Sequence, residues 1–344
     1  MQLSRARFIT LAVLFLLTAQ AARAESPILS QDHLRIFYYR EGKEARASLF
    51  KYPKSIDVLA PQTYSIGSAG ILVGSIKPDI LAFAKNHKIK VMPLITNQGF
   101  GKAGLAVLDS TEKQDALIQG MILEAENHGY WGWQFDFEGM ELSYRDSYSR
   151  FIERASKAFR EKNLAVSVAV IAQVSENPED YPKNLWQRII GVYDYKSLAG
   201  SADFLSIMSY DDPESKGPIA RYSWLTRVIE HTLTVVPKEK ISLGIPLYYW
   251  SWNNATEKLI DIGGYKTMLK VFNRYRTTVS YDYDQEAPYV LYTKNGNKYT
   301  LWYENMQSIR KKLSLISKYD LMGFSAWALG LEVPTIHNVV KKGI

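Results

Sequence analysis

The sequence predicts an α/β fold, a (β/α)8 TIM barrel with a small α+β insertion between strands 7 and 8. Three observations carry this. Eight short apolar runs punctuate the chain, helical patterns lie between most of them, and one interval is too long for a single helix. A chain of 344 residues suits one large domain with an insertion rather than two independent ones.

The strand-like runs fall at residues 34–39, 56–64, 90–95, 131–138, 164–171, 203–210, 241–248 and 321–328. Several are near-continuous Val, Ile, Leu and aromatic residues, as in strands buried on both faces. Eight of them favour closure over an open sheet. Between the fourth and fifth, Tyr148, Phe151, Ile152, Ala155 and Phe159 share one helical face; before the last strand, Met306, Ile309, Leu313 and Ile316 do the same. About 70 residues separate the seventh and eighth runs. Within them 279–283 and 289–293 alternate like strands, Asn295-Gly296 signals a tight turn, and 298–303 continues the pattern. An insertion over about 250–303 is expected beside the barrel mouth, within a catalytic domain of residues 25–344.

Residues 1–24 have the features of a signal peptide: Arg5 and Arg7, an apolar stretch over 8–17, and Ala22-Arg23-Ala24 before a cleavage point at Glu25. An uncleaved anchor is the alternative. The expectation is an exported protein, periplasmic or secreted, with no transmembrane segment after signal removal. The absence of cysteine excludes disulfides and thiolate chemistry. The net charge is +7, and the leader holds three basic residues and no acid, leaving +4. That excess suits solubility or an anionic polymer. Basic stripes with interleaved aromatics are lacking, so nucleic acid is not an expected partner. The five histidines form no close ligand pair, so no metal site is expected. Nor does a Gly-rich phosphate loop open a helix, and a monomer without cofactor is expected.

The most informative segment is Trp131-Gly132-Trp133-Gln134-Phe135-Asp136-Phe137-Glu138-Gly139. Side chains alternate along a strand, so Gln134, Asp136 and Glu138 share one face and three aromatics share the other. The aromatics belong under the outer helices, which points the polar row into the barrel. Two carboxylates there are costly unless paired or hydrogen-bonded, and they stand at the strand end where barrel enzymes place their chemistry. Neighbouring carboxylates resist ionising together, so one is held protonated. Glu138, nearer the mouth, is the better general acid, and Asp136 the better orienter. A buried network that only fixes the core is the competing explanation.

This segment resembles the fourth-strand signature D-G-x-D-x-D-x-E of glycoside hydrolase family 18, the chitinase-like family. Gly132, Asp136 and Glu138 match; Trp131 and Gln134 stand where the family most often has Asp. Met208-Ser209-Tyr210-Asp211 is similar to the family's M-x-Y-D, Gly244-Ile245-Pro246 to its G-x-P, and Trp327 to its eighth-strand tryptophan. The tail resembles the bacterial branch of spore-cortex and cell-wall N-acetylglucosaminidases. The resemblance implies a glycosidase acting on an N-acetylglucosamine-containing glycan, peptidoglycan or chitin-like, without cofactor. It implies Glu138 as proton donor, the substrate's own acetamide as nucleophile, and Asp136 and Tyr210 as the groups that clamp that acetamide. Trp327, Met208 and Asp211 would shape the sugar pocket. Gln134 departs from the pattern, since an amide cannot share a proton with Asp136 but can still donate to it.

Of Tyr38, Tyr39 and Tyr64, at the ends of the first two strands, one is expected to touch sugar; Tyr39 and Tyr64 are carried as candidate binding residues. Tyr248, Tyr249, Trp250 and Trp252 are further candidates for which packing is an equal explanation. A catalytically weak or silent sugar-binding protein on the same barrel is the alternative function, and a structural envelope protein a third. The silent form is disfavoured by retention of Glu138, Asp136 and Tyr210.

Overall fold

The computed structural model describes residues 33–67, 70–97 and 102–341. Residues 1–24, where a signal peptide is expected, lie outside the described residues. Eight parallel strands close into a barrel. They are β1 (Leu34–Tyr39), β2 (Val58–Ile66), β3 in two pieces (Lys90–Val91 and Leu94–Thr96), β4 (Gly132–Asp136), β5 (Ala165–Ile171), β6 (Phe204–Met208), β7 (Ile241–Pro246) and β8 (Gly323–Trp327). Each pairs with the next, and β8 pairs with β1 to close the circle. Pro93 sits between the two pieces of β3, where a missing N–H interrupts the ladder.

The alternation on β4 is realised. Trp133, Phe135 and Phe137 are fully buried outside the barrel, with Phe135 and Phe137 against Phe151 and Phe137 against Tyr148 of the helix Arg145–Arg160. Each such ring contributes roughly 1.5–3 kcal/mol by leaving water, so the outward face fixes which residues point in. Gly132 has no room for a side chain, because a Cβ there would lie 2.0 Å from the Ala165 carbonyl oxygen.

Inside the barrel, the lower layer is apolar: Ile36, Val58, Met92 and Phe204. Above it lies a layer of hydroxyls. Gln134 Nε2 donates to Ser167 and Ser206 at 2.9 and 2.8 Å, and Ser325 bonds with Ser206 and Ser242. This layer links the Gln134 amide nitrogen and the serine hydroxyls from β4 to β8 and forms a floor for what stands above.

The insertion between β7 and β8 is a five-stranded antiparallel sheet with one helix, Tyr265–Arg274. Its strands are Tyr249–Asn253, Lys258–Gly263, Thr277–Asp282, Ala287–Lys294 and Asn297–Trp302. The hairpin of Tyr249–Asn253 and Lys258–Gly263 escapes sequence patterning because its second strand is largely exposed and carries Lys258 and Asp261. One sheet face packs on the helix through Val290, Leu301, Met268 and Phe272. After β8 the tail is locked by a buried cluster in which Glu332 accepts from Ser48 and contacts His337, whose ring stacks on Tyr52 at 4.0 Å. Among the described residues no helix is long and apolar enough to cross a membrane.

Candidate active site

At the C-terminal ends of the strands lies a cavity of about 450 Å³. Its wall brings together Asp136 and Glu138 from the end of β4, Met208, Tyr210 and Asp211 from β6, and Trp327 from β8, with Tyr38, Arg40 and Gln62 from β1 and β2. Residues more than a hundred positions apart thus meet because the barrel places their strand ends on one rim.

Glu138 lies two residues past the last ladder position of β4, and its backbone is held from the neighbouring strand. Asn97, buried just beyond β3, accepts from the Glu138 N–H at 2.9 Å and donates to the Glu138 carbonyl at 2.8 Å. This side chain continues the β3–β4 ladder after the backbone has left it. Tyr193 adds a bond to the Phe137 carbonyl at 2.7 Å. Gly104 packs directly on Asn97, where a Cβ would come within 2.7 Å of its carbonyl carbon.

Burial pushes the Asp136 carboxyl well above the usual carboxylate range, against an opposing hydrogen bond from Gln62. Burial also raises Glu138, and repulsion from Asp136 and Asp211 raises it further. The pair therefore holds a proton near neutral pH, as a general acid requires. Asp211 is raised by burial too, and Tyr248 opposes this by donating to its Oδ1 at 2.5 Å.

Tyr210 reaches the cavity because Gly244 on β7 leaves room for it: a Cβ at Gly244 would lie 3.0 Å from the ring and 2.3 Å from the Ile207 carbonyl oxygen. Its ring meets Tyr248 edge-on at 6.3 Å. Trp327 is partly exposed, packs on Tyr38 at 5.1 Å, and is joined to Ala328 by a cis peptide.

Three of the residues named from sequence stand elsewhere. Gln134 is in the serine floor beneath the cavity and spends its amide donors on Ser167 and Ser206, so it does not donate to Asp136 as expected. Tyr39 points outward and its hydroxyl donates to Glu41. Tyr64 also lies outside, packed on Trp133 and bonded to Glu124 and Tyr130. Of the three tyrosines that end the first two strands, the one in the cavity is Tyr38, one position from Tyr39 and so on the opposite face. Asn97, Gln62 and Arg40 were missed. Asn97 carries no signal because its partner is backbone 41 residues away. Among the described residues no cluster of His, Cys, Asp or Glu could hold a metal ion.

The chain belongs to the glycosyl hydrolases family 18, whose model matches residues 75–332, about three quarters of its length, and it is a glycosidase. It is 25% identical to the uncharacterized glycosylase YvbX of Bacillus subtilis over 96% of this chain and 95% of that protein. It is 26% identical to the cortical fragment-lytic enzyme of the same organism, covering 79% of this chain and 66% of that one. A crystal structure of a chitinase from Chromobacterium violaceum superposes with a TM-score of 0.79 at 28% identity, covering 90% of this chain and 98% of that one.

Proposed function

We propose that the protein hydrolyses a β-linked N-acetylglucosamine-containing glycan, with retention of configuration and with the substrate's acetamide as nucleophile. The observation that carries this reading is the placement of the carboxyls. Asp136 and Glu138 project from one strand, two residues or roughly 7 Å apart along it, so they approach a sugar from one side and cannot flank its anomeric carbon as acid and nucleophile. The third cavity carboxyl, Asp211, is tied to Tyr248.

In this reading Glu138 gives its proton to the glycosidic oxygen as the C1–O bond breaks. The acetamide carbonyl oxygen bonds to C1 and forms an oxazolinium ion. Asp136 accepts the acetamide N–H and balances the developing positive charge; Tyr210 donates to the acetamide oxygen and fixes its line of attack. Trp327 supplies a flat apolar surface beneath the ring. Water then adds to C1 as the C1–O bond of the oxazolinium ring breaks and restores the acetamide, and the Glu138 carboxylate takes the water's proton. Chitin oligomers and peptidoglycan both present the required group, and the cortical fragment-lytic enzyme and the chitinase among the relatives support that substrate range. Incubation with chitin oligomers and purified peptidoglycan, with mass analysis, tests it. New reducing ends at N-acetylated sugars are expected; intact glycan in both cases removes the proposal and favours a silent sugar-binding protein.

The same reading fits an exported enzyme, since these polymers lie outside the cytoplasm. N-terminal sequencing of protein recovered from the envelope or medium is expected to begin near Glu25; protein that begins at Met1 contradicts cleavage.

A further inference from the structure

Arg40 follows the last residue of β1 and is exposed at the rim of the cavity, with its guanidinium carbon 5.9 Å from the centre of the Trp327 ring. It is also a wall of a second cavity, about 290 Å³, which continues the groove past Ala328 and Leu331 toward Lys266 of the insertion. The acids around it are already engaged. Glu41 takes Lys77, Glu44 takes Lys266, and Asp79 takes Arg46. Among the described residues Arg40 itself makes no ion pair, and no cation offsets the repulsion among the cavity carboxyls.

A guanidinium lying over an aromatic face keeps its N–H donors at the edge, where they can grip a carboxylate in a two-point contact. A sugar stacked on Trp327 would place its neighbour within that reach. We propose that Arg40 binds a carboxylate on the sugar next to the cleaved one, so that the enzyme prefers N-acetylated glycans bearing an acidic substituent over neutral ones. This rests on the proposed glycosidic site. The carboxylate could belong to a lactyl ether, as on muramic acid, or to a uronic acid; the chemistry recognised is the same.

The test is calorimetric binding in a Glu138→Gln background, so that hydrolysis is not needed. The probes are a peptide-free tetrasaccharide of alternating N-acetylglucosamine and N-acetylmuramic acid, one of alternating N-acetylglucosamine and glucuronic acid, and the carboxyl-reduced twin of each. At least one acidic tetramer is expected to bind about five- to tenfold more tightly than its twin, the scale of a partly exposed charge-assisted contact. The preference should vanish in Arg40→Gln, return in part in Arg40→Lys, and shrink at high salt. The tetramer that shows it identifies the source of the carboxylate. Equal binding of both acidic tetramers and their twins, no binding by either, or a preference that survives Arg40→Gln overturns the proposal. Wild-type protein that cleaves neither these probes, nor peptidoglycan, nor chitin oligomers while the Arg40-dependent preference holds would remove the hydrolytic reading and leave this one standing.

Discussion

Replacing Glu138 with Gln removes a proton and almost nothing else. The amide has the shape of the carboxyl, and the backbone at 138 is fixed by both bonds from Asn97 rather than by the side chain. Burial and the repulsion from Asp136 and Asp211 that raise Glu138 are also relieved in the neutral variant, so folding should be unimpaired and Tm equal to or above wild type. The loss is then the general acid alone, roughly 100- to 10,000-fold in turnover, or about 3–5 kcal/mol of barrier. The assay is kcat and KM on a soluble N-acetylated oligomer, with Tm and oligomer binding measured on the same samples. A fall in kcat with KM little changed is expected. A folded variant with near-normal kcat would refute the assignment of Glu138 and the reasoning from burial that led to it.

Asn97→Ala should lower kcat about tenfold or more with little change in KM, because the acid is no longer held against the glycosidic oxygen; an unchanged kcat in a folded variant would make Asn97 merely structural. Trp327→Ala should raise KM by about tenfold, the scale of one lost aromatic surface, while an unchanged KM would place the sugar elsewhere. The acid must be protonated to act, so activity should fall as pH rises through the raised apparent pKa of the Asp136–Glu138 pair. Asp136→Asn removes one repulsive contribution, lowers the Glu138 pKa and should shift that alkaline limb to lower pH; a limb that does not move contradicts the coupling.

How far the sequence specified the site can be seen residue by residue. The β4 row was legible because polar and aromatic side chains alternate there, and a two-residue period has one physical meaning in a strand. The barrel followed from eight apolar runs, since strands covered on both faces need no polar side. That same property hid the choice between Tyr38 and Tyr39: both neighbours are aromatic, both are buried, and only the closed barrel decides which points inward. Gln134 was placed on the correct face but one layer too high, because the serines that claim its donors come from β5 and β6. Asn97 and Arg40 depend on a cross-strand bond and on a rim position, neither of which leaves a local pattern.

The most direct measurement of the proposed mechanism is the rate of cleavage of an N-acetylated oligomer against the same oligomer with a free amine on the sugar to be cleaved. Participation of the acetamide predicts that removing the acetyl group nearly abolishes kcat, and that a thiazoline mimic of the oxazolinium ion binds more tightly than substrate. Comparable cleavage of the two oligomers, with a sugar ester trapped on Asp136 or Asp211, would contradict it.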